Sequence, residues 1–315
     1  MQPSDGNRRI DPRAQGAPPP AFRLDRAGVR RSFERASASY DGAAVLQARV
    51  RTELLDRLRW IGIEPARVLD LGCGTGEGAR QLKRRYPRAL ILALDIASGM
   101  LYEARRRSRP FRRFERVCGD AYRLPLADAS IDLVFGNLLL QWCDAPGEVL
   151  AEIRRVLRPG GFFSFSTLGP DTLTELRAAW MAADDASHVN AFLDMHDVGD
   201  ALTRAEFAEP VLDVERFTLS YGDVLALTRD LKAIGAHNVT AGRRRGLTGR
   251  GKWRVMTEHY ETFRRDGRLP ATYEVVYGAA WSREASATSG RGELGSPAGG
   301  EVHISPAAIR RRPRP

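Results

Sequence analysis

The chain has 315 residues, 43% of them hydrophobic, with 49 Lys and Arg against 39 Asp and Glu, enough to bury a full core in one large or two small domains. Its three cysteines, Cys73, Cys118 and Cys143, show no paired spacing, which argues against a disulfide framework or zinc site and for a reducing compartment. No apolar run approaches the ~20 residues of a membrane span, and no hydrophobic signal core is seen at the N-terminus, so no membrane span is expected and the expected location is cytoplasmic.

The net charge of +10 is unevenly spread: residues 1–31 carry seven Arg against three Asp, and residues 283–315 carry six Arg against three Glu. Both ends are dense in Pro, Gly, Ser and Arg and read as disordered basic tails. Residues 32–282 form the folded domain, divided into a helical lid (32–64), a nucleotide-type core (65–170) and substrate-facing insertions with the final strands (171–282). Within it, 229–254 holds eight Lys and Arg against Asp230 alone. That segment is either a solvated face or a docking patch for an acidic partner.

Ser32–Trp60 repeats Phe33, Tyr40, Leu46, Val50, Leu54 and Leu58 near helical spacing. Arg67–Gly78, R-V-L-D-L-G-C-G-T-G-E-G, then reads as a buried strand, a glycine turn and the start of a helix that ends near Pro87. Ile91–Asp95 is a second strand, and Ser98 is read as the N-cap of a helix over 99–107. Phe114–Cys118 and Ile131–Asn137 are further strands, Glu148–Leu157 a helix, and Phe162–Thr167 a fifth strand. This alternation predicts an α/β fold with a doubly wound, mainly parallel sheet of Rossmann-like type. A helix over 171–180 follows, then an insertion-like stretch, 182–200. It holds His188, Asn190, His196 and Asp197, but ligand spacing of three or four is missing, so the histidines read as structural and no metal is expected. Strands over 215–221 and 271–277 and helices over 224–234 and 253–264 complete the domain, the last strands adding antiparallel pairing.

Ligands of such sheets sit at the carboxyl ends of the strands. The turn places Gly72, Gly74 and Gly76 beside Asp70, and Asp95 at the end of the second strand can accept from both hydroxyls of a ribose. A dinucleotide fingerprint would need glycine at 77, where Glu77 would repel a pyrophosphate. A sulfonium nucleoside has no phosphate, and the G-x-G-x-G spacing resembles motif I of the class I methyltransferases that use S-adenosyl-L-methionine (SAM). Asp120 and the Ala121 N–H can read the adenine edge, Ile96 and Met100 can pack its face, and Asn137 ends the fourth strand at the same crevice. Asp95 and Asp120 could each be a plain turn former or helix cap, but both fall where one ligand requires them.

Several stretches resemble the malonyl-[acyl-carrier protein] O-methyltransferase family of biotin biosynthesis. They are F-E-R-A-S-A-S-Y-D-G (from Phe33), V-L-D-L-G-C-G-T-G, L-D-I-A-S-G-M-L and N-L-L-L-Q-W-C. More discriminating are F-S-T-L-G-P-D-T-L (from Phe165), H-V-N-A-F-L-D-M-H-D (from His188), R-D-L-K-A-I-G-A-H-N (from Arg229), G-L-T-G-R (from Gly246) and L-P-A-T-Y-E-V-V-Y-G (from Leu269). The resemblance covers about 32–282, and Ala279 departs from the family's Y-G-H-A-W ending. It implies a seven-stranded sheet and methylation, with SAM, of the free carboxylate of malonyl-[acyl-carrier protein] or malonyl-CoA. Such a carboxylate needs no general base. Tyr40, Gln141, Trp142 and Arg177 are the pocket candidates for placing it. The carrier partner is acidic, and Arg229, Lys232, Arg243, Arg244, Arg245, Arg250 and Lys252 are the residues expected to dock it. A cousin family that assists respiratory complex I assembly shares the SAM motifs and is the alternative. A nucleic-acid methyltransferase is a weaker one, because most of the charge lies in the tails and no D-P-P-Y or N-P-P-Y motif follows the fourth strand.

Overall fold

The computed structural model describes residues 23–108, 113–241, 243, 246 and 248–283. Of the disordered tails expected at 1–31 and 283–315, residues 1–22 and 284–315 lie outside the described residues, as do Arg244 and Arg245.

The alternating sequence pattern becomes strands β1 (Arg67–Leu71), β2 (Leu90–Asp95), β3 (Glu115–Cys118), β4 (Ile131–Gly136), β5 (Leu157–Leu168), β6 (Phe207–Tyr221) and β7 (Leu269–Ser282). They form one seven-stranded sheet in the order β3-β2-β1-β4-β5-β7-β6. β1 to β5 are parallel, and β7 runs antiparallel to both β5 and β6. The order reverses between β1 and β4, which opens a crevice at their carboxyl ends.

Val68 and Leu69 of β1 are both fully buried, as a central parallel strand requires. One face packs on α3 (Val45–Arg57), α4 (Glu77–Arg85) and α5 (Ser98–Arg106) through Val50, Leu54, Leu82 and Ala104. The other packs on α6 (Pro146–Val156) and α8 (Met195–Arg204) through Leu150, Ile153, Val198 and Leu202. α7 (Thr174–Met181), α9 (Val224–Ala233) and α10 (Arg250–Glu261) join the first layer through Leu176, Leu227 and Tyr260.

The N-terminal boundary differs from the sequence reading. α1 spans Arg26–Ala36, with Asp25 as N-cap accepting from the Gly28 N–H at 2.8 Å. Leu24 pairs with Thr240, and the Asp25 N–H donates to the Val239 carbonyl. Residues 23–31 therefore belong to the fold rather than to a tail. The buried face of α1 is Gly28, Val29, Ser32 and Ala36, mostly small side chains that leave little hydrophobic periodicity to read. A short α2 (Tyr40–Ala43) follows it. α8 was likewise hidden in the presumed insertion: Asp194 caps it, but Gly199 and two Asp residues interrupt its apolar pattern.

Ser98 is not the cap of α5. Ala97 holds that position, and Glu34 of α1 does the capping, accepting from Ser98 Oγ at 2.6 Å and the Gly99 N–H at 2.8 Å. A carboxylate at a helix N-terminus meets an orphan backbone donor, here the Gly99 N–H, and the positive end of the dipole. This contact ties α1 to the core.

Candidate active site

At the crevice, the chain leaves β1 through a turn whose Gly72 and Cys73 N–H groups donate to the Leu94 carbonyl. Gly74 sits at φ +52°, and a Cβ there would stand 3.9 Å from Tyr40 Cε1, so the turn presents bare backbone to the space beneath Tyr40. Its N–H donates to Asp95 Oδ2 at 2.8 Å, while Asp95 Oδ1 accepts from the Ala97 N–H at 2.9 Å. Asp95 thus fixes the turn and the entry to α5 with one carboxylate. Burial pushes its pKa up from 3.8 to about 6, against the pull of those N–H donors.

A cavity of about 880 Å³ opens over this turn. Tyr40, Gly72, Gly74, Asp95, Ile96, Met100, Asp120, Ala121, Asn137, Gln141 and Trp142, all expected from the sequence, line it. Asn137 is held rigidly, its Nδ2 donating to the Gln47 carbonyl and its Oδ1 accepting from Ser166 Oγ at 3.1 Å. Ser166 in turn accepts from the N–H of Leu138, which sits at φ +53°. A non-glycine residue there is strained, and such strain gathers at functional sites. Gln141 Oε1 accepts from Thr167 Oγ1 at 3.3 Å, and Trp142 packs edge to face on Phe33 with ring centres 5.0 Å apart. Burial lifts the Tyr40 hydroxyl to about 12, helped by Asp95, so it is a proton donor at neutral pH.

Three expected residues lie elsewhere. Arg177 is not on this cavity: it donates to the Thr172 carbonyl at 3.1 Å and borders a separate space of about 350 Å³ with Trp180, Asp184 and His188. Gly76 is a packing position, because a Cβ there would come within 2.9 Å of Ala104 Cβ and 3.0 Å of Phe114 Cζ. Asp70 lies under the start of α4 rather than in the wall. Burial raises its pKa from 3.8 to about 7, and its Oδ2 has no partner among the described residues. Nearby Arg51 Nε and Gln47 Oε1 are also buried without partners. These unpartnered groups lie around the glycine turn, and of the three only Gln47 lines the cavity.

The far wall joins stretches the sequence named separately, the lid helices and Arg229 and Lys232, to residues it gave no site role, Arg26, Arg35, His188 and His237. It comes from α1 (Arg26, Ser32, Arg35), α9 (Arg229, Lys232), His237 and the stretch around His188 and Asn190. Ser32 Oγ donates to the Gly28 carbonyl and lies 2.9 Å from His237 Nε2, so that ring nitrogen carries the proton. Burial lowers the pKa of His237, as do Arg243, Arg35 and Lys232 around it. Asp41 of α2 accepts from Thr75 Oγ1 at 2.6 Å and pairs with Arg107, latching this wall to the glycine turn.

The glycine turn, the acid ending β2, the Asp120–Ala121 corner and the sheet order together define a class I SAM-dependent methyltransferase. A family described as a methyltransferase domain matches residues 69–165. The chain is 55% identical to the malonyl-[acyl-carrier protein] O-methyltransferase of Laribacter hongkongensis over 83% of its length and 91% of that protein. It is 53% identical to the enzyme of the same name from a Methylovorus species, over 84% of this chain and 92% of that one. The chain belongs to the malonyl-[acyl-carrier protein] O-methyltransferase family. Among solved structures, the YcgJ protein of Bacillus subtilis shares the fold at 17% identity, with a TM-score of 0.51 over 74% of this chain and 98% of that one.

Among the described residues no helix is long and apolar enough to cross a membrane, and no cluster of His, Cys, Asp or Glu is placed to hold a metal ion.

Proposed function

We propose that the chain methylates the free carboxylate of malonyl-[acyl-carrier protein], the step that disguises malonate as an apolar chain end at the start of biotin synthesis. The observation that carries this reading is the 55% identity to a protein of that name over nearly its whole length. The cavity supports it physically, because it runs from the cofactor turn to a rim bearing Arg26, Arg35, Arg229 and Lys232.

SAM, when bound, supplies a methyl group on a sulfonium. The chain itself holds the acceptor and keeps water away. A carboxylic acid with a reference pKa near ~4 is already ionised, so no residue need remove a proton. The apolar wall of Leu46, Leu138, Leu173 and Trp180 strips water from the oxygen nucleophile. Tyr40, Gln141 and Trp142, fixed as described, orient it. The helices α1 to α3 serve as the lid, held by Glu34 and Asp41.

Carrier docking falls to the exposed Arg229 and Lys232 at the rim, with Arg243 and Arg250 beyond them. Lys252 is a weaker candidate, because its ammonium is paired with Asp184 at 2.8 Å. Three free cysteines suit a cytoplasmic setting. The test is methyl transfer from labelled SAM to malonyl-carrier, malonyl-CoA and bulk protein compared side by side. Label in a malonyl methyl ester supports the reading, and label elsewhere or nowhere contradicts it.

A further inference from the structure

A carboxylate pushed into an apolar cavity needs a cation or a strong donor inside with it, or its desolvation goes uncompensated. The basic residues lining this cavity are Arg26, Arg35, Arg229, Lys232, His188 and His237. Five of them are exposed at the rim, and Arg26 is further engaged by Asp144 at 2.9 Å. His188 alone is set back, its side chain 19% exposed among Trp180, Val189 and Phe192.

Its ring is unusually well fixed. The imidazole stacks on the Trp180 indole with centres 3.7 Å apart and planes within 8°. Nε2 lies 2.7 Å from Asp184 Oδ1, and Asp184 is also paired with Lys252. Those two partners hold the Asp184 carboxyl at about 2, the lysine contributing most, so it stays ionised and accepts. Nε2 therefore carries a proton, and Nδ1, which has no hydrogen-bond partner among the described residues, is the edge left for a ligand.

We propose that His188 grips the acceptor's free carboxylate through Nδ1–H as an imidazolium, with Asp184 and Trp180 as positioning residues. This role rests on the function proposed above and extends it to the depth of the cavity. An imidazolium binds one oxygen by a charge-assisted bond and leaves the other to attack, which is what methylation of a carboxylate requires. Trp180 faces the cation with its π surface, and Asp184 balances its charge. The bound carboxylate itself favours the charged ring. The other charged groups facing His188 are Asp185 of its own segment, Arg177 of α7 and Lys252 of α10.

The experiment measures kcat and KM for malonyl-carrier and the SAM Kd for the full chain and its His188→Leu, His188→Asn and Asp184→Asn variants. His188→Leu is expected to raise KM roughly 10- to 100-fold, the range for a lost hydrogen bond to a charged group, with the SAM Kd unchanged. His188→Asn, whose amide overlays Nδ1, retains part of the affinity. Asp184→Asn, which frees the ring to turn, raises KM with the SAM Kd unchanged. A His188→Leu enzyme with wild-type KM overturns the proposal, as does a loss of SAM affinity equal to the loss in KM. Failure of the wild-type chain to methylate malonyl-carrier would instead overturn the substrate reading, and this role with it.

Discussion

Replacing Asp95 by Asn separates what the acid does for the fold from what it does for the cofactor. In the free protein the carboxylate is held at about 6 against an ordinary 3.8, so keeping it ionised near neutral pH costs ~3 kcal/mol. The amide removes that cost. It also turns one acceptor into an N–H facing either the Gly74 or the Ala97 N–H, which costs about 1–3 kcal/mol. The two effects nearly cancel, and the free variant is expected to melt within about 5 °C of wild type. SAM binding should suffer, because hydrogen bonds from ribose hydroxyls to a charged acceptor become bonds to a neutral one. A loss of ~2 kcal/mol raises Kd roughly 30-fold. The sign of the pH effect follows from the raised pKa: the stability Asp95 gains by protonation is complete below 3.8 and lost as pH rises through about 6. Wild type should therefore lose stability relative to D95N as pH rises across that window, and should bind SAM more weakly as pH falls through about 6. Asp70 is raised to about 7 in part by Asp95, so D95N also lowers the Asp70 pKa and the difference between the two proteins reports the pair. Calorimetric titration and thermal melting make the measurement. A D95N Kd within twofold of wild type would refute the assignment of Asp95 to the ribose.

Gly76→Ala should destabilise the chain by about 2–4 kcal/mol, seen as a lowered Tm, because φ is +77° and the new Cβ meets Ala104 and Phe114. Arg229→Glu with Lys232→Glu should raise KM for malonyl-carrier about tenfold at low salt and leave the SAM Kd alone, with the wild-type advantage shrinking as salt rises. A wild-type KM that does not respond to salt would count against docking at this rim.

The half of the site nearest the cofactor was legible because its physics is local. A buried strand, glycines that free the backbone and an acid one strand later lie within about 30 residues, and each needs a particular residue type. Gln141 and Trp142, expected just after β4, line the cavity. Arg177 was misassigned because charge and proximity in sequence say nothing of where a guanidinium points, and here it turns to the Thr172 carbonyl. Asp70 and Gly76, expected to bind the cofactor, lie beneath the cavity rather than in its wall. The opposite wall was legible only in part: 32–64 was expected as a lid and Arg229 and Lys232 as docking residues, but their meeting with the stretch around His188 in one wall was not read. It is assembled from α1, α9 and the stretch around His188, which are distant in sequence, and its buried α1 face is built from small side chains. β1, β2 and β4 stood out by their apolar residues, broken only by Asp70 and Asp132 inside them. β6 is an edge strand of alternating polar residues, and only its last seven residues carried enough pattern to be placed.

The most direct measurement is mass spectrometry of malonyl-carrier after incubation with the purified chain and methyl-labelled SAM. The account predicts label in an alkali-labile methyl ester on the malonyl group, and none when malonyl is replaced by acetyl. SAM binding with no such ester, or equal labelling of the acetyl form, would contradict it.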